Sequence, residues 1–254
     1  MARAAGDPPL LVSWAAHDLE PYLLRAKLGA RISIPFCLAG SYSPDILTKW
    51  AVYGFGFAGH HKLVSDPVQL HRGWPGLGFT HTLFFGIVIS SIIFWRSESR
   101  LWALSFLIGA FAHVLSDTLD SVGVMVLFPF STWHLHFGLW EYVGQAGRAS
   151  DAVAYYTSFG GVWDAFWAGW LLLRWRTLTN AYFREEVVPS DPFWPWLAGK
   201  TNQFVMLTFY RASAFFGIVS IVGWYTWALL VNDFHPNLDW TVGGPHWAPR
   251  QGPP

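Results

Sequence analysis

Long apolar stretches separated by short polar segments dominate the chain. Residues 77–95 and 212–231 contain no Lys, Arg, Asp or Glu, and the shorter stretches 101–116 and 159–173 are nearly as apolar. A helix needs about 20 mainly apolar residues to cross the hydrocarbon core of a membrane. The pattern therefore predicts four transmembrane helices, the first two of which form a hairpin around the polar turn 96–100.

The remaining segments divide the chain into three regions. Residues 1–76 mix apolar and basic residues without a continuous span, which predicts an N-terminal region of amphipathic, interfacial or re-entrant helices with a break at residues 43–45. Residues 77–173 form the predicted membrane core. Residues 174–254 hold a polar connection, the last transmembrane helix and an extended Pro-rich tail. The predicted fold class is thus an all-α, polytopic membrane protein.

Composition supports this class and excludes others. Only 13% of the 254 residues are charged, against about 25% in an average soluble domain. The 16 basic and 16 acidic residues cancel, whereas a nucleic-acid-binding protein would carry a basic excess. The 17 Trp, 9 Tyr and 21 Phe residues are typical of proteins that contact the membrane interface. The expected partners are therefore membrane lipids, and no nucleic acid.

Three ionisable residues of the predicted hairpin indicate a site. His81 precedes the 96–100 turn by about as many residues as His113 and Asp117 follow it, which places all three within about 6 Å along the hairpin axis. His113 and Asp117 are four residues apart and share a helix face. Imidazole and carboxylate groups are the ligands of a catalytic Zn²⁺. The pattern predicts a divalent metal site, although a hydrogen-bonded pair without metal remains the alternative.

A longer motif around these residues is similar to a known family. The stretch Gly-Ala-Phe-Ala-His-Val-Leu-Ser-Asp-Thr at residues 109–118, continued through 123–129, resembles the signature of the YdjM-like inner-membrane proteins, which are regarded as metal-dependent hydrolases. Shorter matches are Pro44-Asp45-Ile46, His71-Arg72-Gly73 and Thr80-His81-Thr82. The resemblance covers roughly residues 15–130 and implies a multi-pass protein of a bacterial-type inner membrane.

The chain departs from the family pattern in three places. Leu47 replaces the second Asp of the family's Pro-Asp-Ile-Asp segment, residues 74–79 separate segments that are nearly contiguous in the family, and Thr82 replaces Ser. These changes leave two interpretations open. The first is an active hydrolase. The second is a non-catalytic accessory subunit of a larger membrane complex that retains a degenerate hydrolase-like core.

The family's order of ligand types is also similar to that of zinc-dependent phospholipases C. This analogy adds an early His, an Asp and a further His to the residues of the hairpin. Clustered zinc ions activate a water and neutralise a phosphoryl oxygen, so the resemblance implies hydrolysis of a phosphoester, with a lipid-type substrate expected in a membrane. The implied metal ligands are His17, Asp45, His71, His81, His113 and Asp117.

Two more residues are candidates for catalysis. Asp120 lies seven residues beyond His113, on the same helix face, where it would accept a proton or orient a ligand. Arg72 would bind a phosphate oxygen through its forked guanidinium, or else face lipid headgroups.

Overall fold

The described part of the chain is helical. The computed structural model describes residues 16–53, 67–140, 142 and 148–231, and these contain isolated β-bridges but no β-strand. The predicted all-α class is therefore confirmed, whereas the predicted Pro-rich tail lies outside the described residues. The helices are α1 (Ala16–Leu28), α2 (Ile34–Tyr53), α3 (Pro67–Arg72), α4 (Leu83–Ser97), α5 (Arg100–Asp117), α6 (Arg148–Tyr156), α7 (Phe159–Leu173), α8 (Asn180–Tyr182), α9 (Phe193–Ala198) and α10 (Gln203–Val231).

Helices α4, α5, α7 and α10 occupy the places of the four predicted spans. Among the described helices, α10 alone is long and apolar enough to cross a membrane by length and composition. Helices α4 and α7 have 15 residues each, or about 22 Å at 1.5 Å per residue. The first span begins later than expected because Thr82 caps α4 by accepting a hydrogen bond from the Phe85 N–H. The four-span arrangement stays a prediction.

Two glycines bring α2 and α5 into close contact. A Cβ added at Gly109 would lie 2.0 Å from the carbonyl oxygen of Cys37, and one added at Gly40 would lie 2.1 Å from that of Phe106. Only a residue without a side chain fits such an approach of two backbones. The crossing holds the second half of α2, which carries Asp45, beside the end of α5.

Helix α2 runs without interruption through Pro44, so the predicted break at residues 43–45 is wrong. Proline lacks an N–H and leaves the carbonyl four residues earlier without its helical donor. The hydroxyl of Ser43 donates to that carbonyl, which belongs to Gly40, at 3.0 Å. Because this bond replaces the missing one, Asp45 and Thr48 remain on one face of a continuous helix.

Helix α1, in the region predicted to form amphipathic, interfacial or re-entrant helices, lies inside the protein. All its residues from Ala16 to Leu23 are buried, and the helix packs against α2, α7 and α10. The buried guanidinium of Arg25 donates to the carbonyls of Ile32 and Glu186, each at 2.6 Å. Internal carbonyls therefore accommodate a charge that the sequence placed at the interface.

Asp164 joins the start of α1 to α7. Its Oδ1 accepts a hydrogen bond from the Ala16 N–H and its Oδ2 accepts one from the Tyr156 hydroxyl, both at 3.0 Å. A carboxylate at a helix N-terminus satisfies a free N–H and interacts favourably with the helix dipole. This contact fixes the first turn of α1, which carries His17.

Candidate metal centre

Asp45 lies among three imidazoles that come from three different parts of the chain. Its Oδ1 is 3.4 Å from Nε2 of His71, 3.4 Å from Nε2 of His81 and 4.0 Å from Nε2 of His113. All four side chains are buried. Ligand atoms at about 2.0–2.2 Å from a tetrahedral zinc lie about 3.3–3.6 Å from one another. The separations around Asp45 are therefore close to those between ligands of a single ion.

A second group of candidate ligand atoms surrounds Asp117, beside the group around Asp45. Its Oδ2 lies 3.1 Å from Nε2 of His113 and 3.8 Å from Nε2 of His81, and its Oδ1 lies 3.9 Å from Nε2 of His17. The rings of His17 and His113 stack with centroids 4.3 Å apart. The predicted convergence of His81, His113 and Asp117 is thus confirmed, while their role as ligands stays a prediction.

The ligand atoms form two overlapping groups, each with atoms within 4.8 Å of one another. One group is His17, His113 and Asp117, and the other is Asp45, His81 and His113. A neutral imidazole offers one lone pair, so His113 could ligate an ion in only one of the two. His71 adjoins the second group through Asp45. All six ligands implied by the resemblance are therefore brought together.

Two threonine hydroxyls orient two of the imidazoles. Thr48 Oγ1 donates to the Pro44 carbonyl at 2.9 Å and lies 2.7 Å from Nδ1 of His71. Thr80 Oγ1 donates to the Leu77 carbonyl at 2.9 Å and lies 3.1 Å from Nδ1 of His81. Because each hydroxyl donates its own proton to a carbonyl, it accepts a hydrogen bond from the N–H of the neighbouring imidazole. The ring proton of each histidine is therefore assigned to Nδ1. The lone pair of each Nε2 then faces Asp45, as in metal sites with oriented histidines.

Replacing Thr48 with valine is expected to weaken metal binding about 10- to 100-fold, because loss of an outer hydrogen-bond partner has this effect at other metal sites. Valine keeps the branched shape and removes the acceptor for the His71 N–H. Titration of the metal-free protein with Zn²⁺ measures the change. Thr48→Ser retains the hydroxyl and is the matched control, and equal affinities of Thr48→Val and the wild type would contradict the orienting role.

Buried carboxylates converge around the cluster. Lys49 forms an ion pair with Asp45 Oδ2, and Arg72 Nη2 lies 2.9 Å from Asp117 Oδ1. Two further buried carboxylates among the described residues, Glu20 and Asp120, lie beside His17 and Arg72. Buried acidic groups need a nearby positive charge, and a divalent cation would supply one where these carboxylates converge.

Several polar atoms of the cluster have no hydrogen-bond partner among the described residues. They include both ring nitrogens of His113, since the 3.1 Å approach of its Nε2 to Asp117 lacks hydrogen-bond geometry. Glu20 Oε2 and His17 Nδ1 face each other at 3.9 Å. A buried polar atom without a partner costs about 1–3 kcal/mol and calls for an explanation. A metal ion fits these donors.

The pKa values of two histidines outside the predicted spans agree with this electrostatic environment. Burial lowers the pKa of His71 well below its usual range, so the ring is neutral and able to donate a lone pair. Burial also opposes the charged form of His17, but the nearby Glu20 and Asp117 carboxylates outweigh it and raise the pKa. The surroundings of His17 therefore favour a positive charge.

Arg72 and Asp120 lie one step outside the cluster. Arg72 is 5% exposed, so it does not face lipid headgroups, and its Nη1 donates to the Gly123 carbonyl at 3.4 Å and lies 3.6 Å from Asp120 Oδ2. Helix α5 ends at Asp117, so the predicted continuation of its face to Asp120 is wrong. Burial raises the pKa of Asp120 to about 6, against the lowering effect of Arg72.

Four residues that contribute to the candidate metal centre were not identified from the sequence. Glu20 lies one helical turn after His17 in α1, a spacing that was available as a signal. Lys49 follows Asp45 by four residues, which is the spacing of a helical ion pair. Thr48 carried no signal, because a hydroxyl acquires its role only from the imidazole that the fold places next to it. Thr80 belongs to the Thr-His segment that resembles the family, but the contact of its hydroxyl with the His81 ring was not predicted.

The family comparison covers the whole cluster. The family model described as YdjM inner membrane protein matches residues 11–184, which is more than half of the 254-residue chain and includes every candidate ligand. No curated protein and no solved structure matches the chain.

Proposed function

Because the chain belongs to the YdjM inner membrane protein family, we propose that it is a membrane-bound, metal-dependent hydrolase of phosphoesters, with Zn²⁺ as the ion. The observation that carries the proposal is the position of Asp45 Oδ1, 3.4 Å from the Nε2 atoms of both His71 and His81. The unpartnered nitrogens of His113 lie beside it. A membrane of the bacterial inner type is the expected location.

The proposed ligands would hold the ion, and neighbouring residues hold the ligands. A bound divalent ion lowers the pKa of a water molecule and neutralises a phosphoryl oxygen. Thr48 and Thr80 fix the rings of His71 and His81 by their Nδ1 contacts. Lys49 forms an ion pair with Oδ2 of Asp45, whereas the distances to the imidazoles given above are from Oδ1. The proposed ligands are His17, Asp45, His71, His81, His113 and Asp117.

Arg72 is proposed to position Asp117 and to contact the substrate through one remaining donor. Two of its nitrogens are engaged by Asp117, Asp120 and the Gly123 carbonyl, whereas its Nε has no partner among the described residues. That N–H is therefore proposed as the donor to a phosphoryl oxygen. Asp120 orients the guanidinium, and its pKa of about 6 allows it to accept a proton near neutral pH.

A lipid-type substrate and a multi-pass arrangement are proposed together. Ile46 and Leu47, which directly follow Asp45 on α2, are exposed apolar side chains. Helices α4 and α10 likewise expose Phe, Ile, Val and Trp side chains along their length, as helices in contact with lipid do. A substrate reaching a site bordered by such surfaces is expected to carry an apolar portion.

Metal content and hydrolysis test the proposal. Purified protein is expected to contain about stoichiometric divalent metal and to hydrolyse bis(4-nitrophenyl) phosphate or 4-nitrophenyl phosphate. A chelator should remove both properties, and added Zn²⁺ should restore them. Elemental analysis and release of nitrophenol are the measurements. Folded, pure protein that neither contains nor binds divalent metal would overturn the proposal and leave the accessory-subunit interpretation.

A further inference from the structure

Four exposed apolar side chains form a surface beside the metal centre, called the apolar collar below. Phe130 is 90% exposed, and the other three are also exposed. The Trp74 ring packs against Phe128, with ring centroids 4.9 Å apart, which joins the two segments that supply the collar. The collar residues are Trp74, Leu127, Phe130 and Trp133.

The collar lies at the same end of the α4–α5 hairpin as the proposed ligands. Trp74 follows Arg72 by two residues, and Arg72 Nη1 donates to the Gly123 carbonyl at 3.4 Å. The Leu83 N–H, at the start of α4, donates to the Val126 carbonyl at 3.2 Å. These contacts fix the collar segments next to His81 and the end of α5. The charged 96–100 turn lies at the opposite end of the hairpin.

The segments that carry the collar contain no charge. Residues 73–95 and 121–140 include no Lys, Arg, Asp or Glu, although residues 121–140 are not helical. An average soluble segment of this length would carry about five charged residues. Exposed apolar surface of this kind marks an interaction site. Two of the four collar side chains are Trp, the residue enriched where a membrane meets water.

As a proposed transmembrane helix, α4 is too short to cross the hydrocarbon core by itself. Its exposed stripe of Phe84, Ile87, Ile92 and Trp95 spans about 22 Å at most, whereas the hydrocarbon core is about 30 Å thick. The collar lies at the end of the hairpin where α4 begins. Lipid as the occupant of the collar therefore explains both the missing charge and the short helix.

We propose that the apolar collar is a membrane-interface surface that holds the metal centre at the depth of the lipid headgroups. A consequence that rests on the proposed function is that the substrate is a bilayer lipid, whose phosphoester lies at the depth of the ligands while its chains remain in the membrane. The collar positions lipid against the site and takes no part in the chemistry.

Spin-label depth measurement tests the surface independently of activity. Cys37 is the single cysteine and is 0% exposed, so the wild-type chain is the control for unwanted labelling. Phe130→Cys and Leu127→Cys, labelled in vesicles of phosphatidylethanolamine and phosphatidylglycerol, are expected to collide more with oxygen than with a water-soluble nickel complex. Glu185→Cys, at an exposed polar position, should show the reverse.

Two results would overturn the collar proposal. Labels at residues 127 and 130 that are as accessible to nickel as the label at 185 would place the surface in water. Labels shielded from both oxygen and nickel would show that protein, either a second copy or a partner subunit, covers it.

Rates of hydrolysis of two substrates distinguish the role of the collar from that of the proposed metal ligands. Phe130→Ser is expected to lower hydrolysis of a vesicle phospholipid about tenfold, since it loses most of the apolar contact of one large side chain, and to leave hydrolysis of bis(4-nitrophenyl) phosphate unchanged. Phe204→Ser, at an exposed apolar position of α10, is the matched control. Equal loss on both substrates contradicts the collar's role, whereas no hydrolysis of either by the wild type contradicts the proposed function alone.

Discussion

Replacing His113 with alanine is expected to abolish metal binding and hydrolysis together. His113 belongs to both groups of closely spaced ligand atoms. It can ligate an ion in only one of them, but without it neither group keeps more than two of these three ligand atoms. The affinity should fall by more than about 100-fold, the upper value typical of residues that only support a ligand. Elemental analysis after purification and nitrophenyl phosphate hydrolysis measure the two effects.

The matched control is His134→Ala, which removes another buried imidazole from the same part of the fold. His134 Nδ1 donates to the Val122 carbonyl at 3.1 Å, and its ring belongs to neither ligand group. His134→Ala should therefore retain metal even if it loses some stability. Loss of metal from both variants to the same extent would indicate a general effect of unfolding and would count against the ligand role of His113.

The same variant has a distinct effect on stability. Metal bound to the folded state alone stabilises it by about 4 kcal/mol when its concentration is 1,000 times the dissociation constant, and His113→Ala should lose this gain. Without metal, the variant loses packing but also removes two buried nitrogens that have no hydrogen-bond partner within the described part of the chain. Wild-type and variant melting temperatures are therefore expected to converge in excess chelator and to differ in Zn²⁺.

The hairpin part of the site was predictable because it depends on local geometry. The rise per residue of an α-helix fixes the heights of His81, His113 and Asp117 once the turn is known. Helix α5 formed at the predicted place, whereas α4 begins two residues after His81, so His81 lies just before that helix and not within it. By contrast, His17, Asp45 and His71 come from separate segments, and spacing along the chain cannot place them near the hairpin. Their inclusion depended on the family resemblance.

The structural predictions from the sequence that were wrong also failed for local reasons. Pro44 suggested a break, but a single hydroxyl on Ser43 supplied the missing donor for Gly40. Asp120 was placed on a helix that ends three residues earlier. The mixture of apolar and basic residues in 1–76 favoured amphipathic, interfacial or re-entrant helices, but two internal carbonyls accept hydrogen bonds from the buried Arg25 of α1. In each case one or two hydrogen bonds, or the end of a helix, determined the outcome, and the residue pattern does not show these features.

Two of the three departures from the family pattern do not disrupt the buried cluster. Leu47 is 47% exposed and lies two residues after Asp45, on the opposite side of α2, because successive helical residues are about 100° apart. A carboxylate there would not face the imidazoles. The inserted residues 74–79 leave the rings of His71 and His81 with centroids 4.6 Å apart. The features that favoured a degenerate core are therefore compatible with a complete ligand set.

The close contact of α2 and α5 is expected to be the most sensitive structural feature of the site. In Gly109→Ala, the new Cβ would lie 2.0 Å from the Cys37 carbonyl oxygen, and backbone atoms cannot move aside as a flexible side chain can. The two helices must separate, which should cost about 3 kcal/mol or more. Thermal unfolding in detergent measures this loss.

Gly169→Ala is the matched control, because nothing lies within 4 Å of a Cβ added at that position in α7. The control should be unchanged or more stable by up to about 1 kcal/mol, since alanine favours a helix over glycine. Separation of the helices also moves Asp45 away from His113 and Asp117. Gly109→Ala should therefore lose metal at temperatures at which it is still folded. Retention of full metal content at wild-type stability would show that the crossing does not determine the geometry of the site.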